Sequence, residues 1–229
     1  MKSRPAGVIG LMLILGFTGC ARLFGWDIHA PGLLSEGFVT QIAPRRERVA
    51  LFLSPEILQY QSTDRGGAFA DPQIYHVGEA FSPMLLEALQ GAFEEFIFLE
   101  VEPTPDILKR YGISHLLLVR IKDFRNQVTM RGQALSLVTE TAVLDSNMNK
   151  VIQFESSGIS DARAIFKKKG GPEVNLNAAI ERNLLAMLQY LQDWLQAARQ
   201  PPFSQPARAD GGKDESGGQA SSRAHDLKI

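Results

Sequence analysis

Cysteine occurs once among the 229 residues, at position 20, directly behind an apolar run over 6–17 and the pair Thr18, Gly19. A lone cysteine rules out an internal disulfide framework and any multi-cysteine zinc site. The fold therefore has to be held by burial of apolar surface. A hydrophobic fraction of 45% with 13 Phe supplies that surface, and the length suffices for one well-formed core. Lys and Arg number 24 against 25 Asp and Glu, which leaves no basic field of the kind that gathers nucleic acid.

The run over 6–17 is 12 residues long, whereas a helix needs ~20 to cross a bilayer. Lys2 and Arg4 precede it and small residues follow, the three-part layout of a secretory signal. With a thiol next in line, Phe17, Thr18, Gly19 and Cys20 resemble the lipobox of a bacterial lipoprotein. The resemblance implies transfer of a diacylglyceryl group to the sulfur and cleavage before Cys20, which becomes the first residue. The mature chain then carries 22 basic against 25 acidic residues, because Lys2 and Arg4 leave with the signal. Several acyl chains give durable anchorage where one gives only weak attachment. Ala21, where Asp would retain a Gram-negative lipoprotein at the inner membrane, implies an outer-membrane anchor facing the periplasm. An ordinary secretory signal and a membrane-anchoring start are the alternatives. The expected division is a signal peptide over 1–19, a lipid-anchored tether over 20–46, a periplasmic domain over 47–199 and a disordered tail over 200–229.

Gly25, Pro31, Gly32, Gly37 and Pro44 interrupt the tether, and no helical or strand period is sustained there. Leu23, Phe24 and Trp26 are placed either at the lipid interface or on the domain surface. Arg45, Arg46 and Arg48 read as the solvated entry to a strand over 49–53, with a lipid-headgroup role the alternative; the strand is apolar on both faces and stopped by Pro55. Arg65, Gly66 and Gly67 lie in a polar loop over 59–72 without phosphate-loop spacing. A short strand over 73–77 leads to a helix with Ser82 as N-cap and Pro83 first inside it, carrying Phe81, Leu85, Leu89, Ala92 and Phe96. A strand over 97–101, a short helix over 106–110 closed by Gly112, and a strand over 113–124 follow. Residues 133–144 and 151–158 form a hairpin across the turn residues 145–150. Leu176, Ile180, Leu184, Met187, Leu191, Trp194, Leu195 and Ala198 define the stripe of a long helix that ends before Pro201 and Pro202. These elements predict a two-layer α+β domain, a mainly antiparallel or mixed sheet covered by two amphipathic helices.

The strand over 49–53, the helix over 82–96, the phrase over 110–119 and the hairpin over 143–152 together resemble a broad group of small envelope lipoproteins. The group includes accessory lipoproteins of lipopolysaccharide export, auxiliary lipoproteins of lipid-transport ABC systems and the curli secretion lipoprotein. The curli-type pore needs additional long amphipathic strands, which are not read in this chain. The likeness lies in the pattern of elements and assigns no functional residue.

His29, His76, His115 and His225 are scattered, and none pairs with another at the i, i+4 spacing of a helical metal site. His115 beside an apolar strand reads as structural. Glu94, Glu95, Asp106, Asp123 and Asp161 sit at element ends, where carboxylates are usually solvated. Lys167, Lys168 and Lys169 read as a solvated loop, with contact to anionic lipid the alternative. No cofactor motif, metal set or catalytic residue is expected. The expectation is a non-enzymatic accessory factor, attached to the membrane at Cys20, that binds or helps assemble an envelope transport or secretion complex. The alternatives are a carrier holding a lipid or glycolipid between helices and sheet, and a hydrolase.

Overall fold

The computed structural model describes residues 26–64, 72–129, 132–161 and 171–199. Five strands form the main sheet: β2 (Arg45–Phe52), β5 (Phe93–Leu99), β6 (His115–Thr129), β7 (Gly132–Leu144) and β8 (Lys150–Ile159), in the order β5-β2-β6-β7-β8. β2 is parallel to both its neighbours, and β6, β7 and β8 run as an antiparallel meander. The fold is α+β with a mixed sheet, and the parallel pairs follow from helical crossovers on either side of β2.

The crossover from β2 to β5 runs through α2 (Pro55–Leu58), β3 (Ser62–Asp64), β4 (Gln73–Tyr75) and α3 (Val77–Ala92). The crossover from β5 to β6 uses the short α4 (Pro105–Arg110). The helices α3 and α4 cover different apolar clusters, which explains why β2 reads as apolar throughout. Val49 and Leu51 join the main core with α3, while Ala50 joins Leu99, Leu108, Ile113 and Leu116 in the cluster that includes α4. Thr104 caps α4 by accepting from the Ile107 amide, and Gly112 leaves the helix with φ +64°.

The helix α5 (Pro172–Arg199) lies across β7, β8 and α3. Leu176, Ile180, Leu184, Met187, Leu191 and Leu195 are buried as expected, whereas Trp194 is only half-buried and Ala198 is exposed. Two polar residues share the buried stripe. Asn183 accepts from the Thr139 hydroxyl at 2.9 Å and donates to the Ser156 carbonyl at 2.8 Å, and Asn175 donates to the Gln133 carbonyl at 2.9 Å. They fix the helix's register on the sheet, since a slide would strand buried polar atoms. Gly158 lets the helix seat closely: a Cβ there would lie 2.1 Å from the Ala179 carbonyl oxygen.

Three expectations change. The helix α3 begins at Val77 with His76 as its N-cap residue, and Ser82 and Pro83 lie inside it. Its buried stripe already starts at Val77, Ala80 and Phe81, so packing outweighs the Ser-Pro start signal. Phe96 belongs to β5, which begins directly after Ala92. The segment read as a tether is part of the body from residue 26 onward: β1 (Trp26–Ile28) pairs with β4, and α1 (Glu36–Val39) follows. Ile28 and Phe38 are buried, the Ser35 hydroxyl donates to Glu181 at 2.6 Å, and Gln192 donates to the Ala43 carbonyl at 2.8 Å. Two apolar anchors and these ties to α5 replace the periodicity that the segment lacks.

Candidate functional site

The segment that leads in from Cys20 enters the fold at a small second sheet, ordered β1-β4-β3. β1 runs parallel to β4, with Trp26, Asp27 and Ile28 abreast of Gln73, Ile74 and Tyr75. The ladder continues one step further, the His76 amide donating to the Ile28 carbonyl at 3.1 Å. That step sets His29 beside His76, and their rings stack with centroids 3.9 Å apart at 19°.

Two carboxylates flank the stack. His29 Nδ1 lies 2.8 Å from Glu79 Oε2, and His76 Nε2 lies 3.1 Å from Asp27 Oδ1. Gln61 Nε2 is 3.1 Å from His76 Nδ1, and Glu79 Oε1 is 3.4 Å from the same nitrogen. The hydrogen bond from His29 is the main cause that holds the Glu79 carboxyl below the usual glutamate range, with charge on both imidazoles adding to it. The i, i+4 rule applied to the four scattered histidines does not reach this pair. Strand register brings together residues 47 positions apart, a relation no helical spacing rule detects.

A buried polar group ties the small sheet to the far end of the β6-β7 hairpin. Gln133 Nε2 lies 2.8 Å from Asn126 Oδ1, 3.0 Å from Gln73 Oε1 and close to the Tyr75 hydroxyl, which itself donates to Gln73 at 2.7 Å. Burial is the chief cause that pushes the Tyr75 hydroxyl well above the ordinary tyrosine value. Asn126 donates to Asp64 at 2.7 Å, so β3 is held as well.

The other residues singled out are not brought together. His115 packs edge-on against Trp194 with centroids 5.4 Å apart, and burial lowers its pKa. Glu94 faces Arg46 at 3.8 Å, Glu95 pairs with Arg48, Asp123 with Arg125 at 2.7 Å and Asp161 with Arg182 at 2.8 Å. Asp106 stands in the first turn of α4. Asp145 organises the β7-β8 turn: its Oδ1 accepts from the amides of Asn147 and Asn149 at 2.8 and 2.9 Å, and the Asn149 bond is the leading cause of its lowered pKa. Cys20, Arg65, Gly66, Gly67, the three lysines from Lys167, His225 and the tail lie outside the described residues.

Buried apolar side chains occupy the layer between the two long helices and the sheet. Phe81, Leu85, Leu89, Leu184, Met187 and Leu188 pack there with no exposed surface. That is the layer in which the carrier reading places an amphiphile. A recess of about 230 Å³ lies instead by the α4 cluster, lined by Phe52, Ser54, Glu102, Pro103, Leu118, Val119 and Met148. Further along the sheet are ion pairs, the exposed Arg120 with the largely covered Glu140 at 2.6 Å and Lys122 with Glu155.

The sequence matches no protein-family model and no curated protein. Among solved structures, a hypothetical protein of Chlamydia trachomatis is 10% identical, with 67% of this chain and 96% of that one covered and a TM-score of 0.37. The PelC dodecamer subunit of Paraburkholderia phytofirmans is 12% identical, with coverages of 64% and 90% and a TM-score of 0.36. A lipoprotein of Neisseria meningitidis is 10% identical, with coverages of 66% and 99% and a TM-score of 0.31. No helix among the described residues is long and apolar enough to cross a membrane.

Proposed function

We propose that this protein is a lipid-anchored accessory factor of the cell envelope, attached through acylated Cys20 to the periplasmic face of the outer membrane and serving a transport or secretion complex without catalysing a reaction itself. The observation that carries this reading is the short reach from anchor to body. Only residues 21–25 separate Cys20 from β1. At ~3.3–3.6 Å per extended residue, the first paired residue lies within about 20 Å of the acylated cysteine. Such a body works at the membrane surface and does not range through the periplasm. Trp26 and Leu33, 43% and 65% exposed, belong to the segment that enters the fold from the anchor, and Trp26 suits the lipid interface. Elsewhere Phe98, Val101 and Tyr111 are exposed, offering apolar contact to a protein partner.

The short reach gives the test. Crosslinking in native membranes followed by affinity recovery is expected to enrich a defined envelope complex with the wild-type chain. A flexible Gly/Ser spacer of about 20 residues, placed between Cys20 and Trp26, adds slack on the order of 25 Å. The spacer variant is expected to stay in the membrane fraction yet lose that enrichment. Recovery of the wild-type chain as a free monomer contradicts the reading, and a stoichiometric co-purifying amphiphile favours a carrier.

A further inference from the structure

We propose that Asp27, His29 and His76 form a binding site for a divalent transition-metal ion of the zinc type, with Glu79 as the outer carboxylate that orients His29. One ligand atom from each of the three residues falls within a group whose members all lie within 4.8 Å of one another. The donor set of imidazole and carboxylate is the one that borderline divalent ions prefer.

The contacts on each ring indicate which atoms face the ion. His29 gives its Nδ1 proton to Glu79, so its lone pair stands on Nε2; a metal-binding histidine is typically oriented by a carboxylate on its other nitrogen. His76 Nδ1 is met by Gln61 at 3.1 Å and Glu79 at 3.4 Å, so its other nitrogen, Nε2, is the one that faces Asp27 Oδ1 and the ion. A cation between them is held by His76 Nε2 and the Asp27 carboxylate together, and any proton on Nε2 leaves to solvent. Tetrahedral zinc with bonds of ~2.0–2.2 Å keeps its ligand atoms roughly 3.3–3.5 Å apart. The present separation of 3.1 Å between His76 Nε2 and Asp27 Oδ1 is already close to that span. Turning the His29 ring out of its stack on His76, together with a rotation of Asp27, brings in the rest; their side chains are 55% and 56% exposed, so solvent and not packing lies in the way. The fixed part is backbone: β1 and β4 hold the two histidines abreast, and α3 carries Glu79 one turn behind His76. Three protein ligands leave a fourth position to water.

Isothermal titration of the full-length Cys20→Ser chain with zinc chloride, purified without a histidine tag, tests the site independently of lipidation and removes the one thiol that would compete. The expected result is saturable binding of about one ion per chain. Affinity falls roughly 10- to 100-fold in Glu79→Gln. It is lost in the His29→Gln/His76→Gln double variant while the far-UV circular dichroism stays that of the parent. As a check on a single exposed position, Asp27→Asn weakens binding and shrinks the rise in Tm that zinc gives the parent. Absence of saturable binding to the parent, or binding that the double variant or Asp27→Asn retains undiminished, overturns the proposal.

Discussion

Gly158→Val is expected to cost at least ~3 kcal/mol and to leave much of the chain unfolded in mild denaturant. Gly158 sits on β8 under α5, and a Cβ added there would lie 2.1 Å from the Ala179 carbonyl oxygen, 2.3 Å from the Asn183 amide nitrogen and 2.9 Å from the Asn183 Cα. All three atoms are backbone, so no side-chain rotation relieves the overlap. The helix would have to lift from the sheet until these distances reach ordinary contact, and lifting it pulls Asn183 off the Thr139 hydroxyl and the Ser156 carbonyl. The substitution thus combines overpacking with loss of buried hydrogen bonds, and an unpaired buried polar group costs about 1–3 kcal/mol by itself. Urea unfolding followed by circular dichroism measures the effect. Gly91→Ala is the control: nothing lies within 4 Å of a Cβ at this position in α3, and the change is expected to stabilise by ~0.5–1 kcal/mol. An unchanged midpoint for Gly158→Val would show that α5 does not seat on β8 as described.

Cys20→Ser is expected to move the protein from the membrane fraction to the soluble fraction while leaving the urea midpoint of the body unchanged. Each buried acyl methylene contributes ~0.8 kcal/mol, and several chains together make attachment durable. Trp26 and Leu33 cannot replace that on their own. The core is assembled from residues between Ile28 and Leu195, so the substitution lies outside it. Fractionation and acyl-chain labelling read the effect; unchanged partition with unchanged labelling contradicts an anchor at Cys20.

What was legible in the sequence was whatever depends on local spacing or on the two sides of a strand. Val49, Ala50 and Leu51 announced a strand buried on both faces, and it stands inside the sheet between β5 and β6. Gly112 marked the end of α4, and the turn residues from Asp145 marked the hairpin, because caps and tight turns are written within a few positions. Two kinds of feature escaped. Residues 26–44 have no period because one buried side chain at a time, Ile28 and then Phe38, holds them to the body. Asn175 and Asn183 were passed over in the α5 stripe because their polar side chains are paid for only by carbonyls and a hydroxyl on β7 and β8, strands far away in the sequence.

The candidate site was legible to the same limited degree. Cys20 stands out because its motif is contiguous. The histidine pair does not, since His29 and His76 meet only through the parallel register of β1 on β4, and Glu79 joins them only because α3 starts at Val77 and not beyond Ser82. An early helix start and a strand drawn from the supposed tether create that cluster together.

The most direct measurement is intact-mass and amino-terminal peptide mass spectrometry of the protein purified from native membranes. The expected species is a chain that begins at Cys20, with a diacylglyceryl group on the sulfur and no residue before it. A chain that retains Met1, or one cut elsewhere with an unmodified Cys20 thiol, would contradict it.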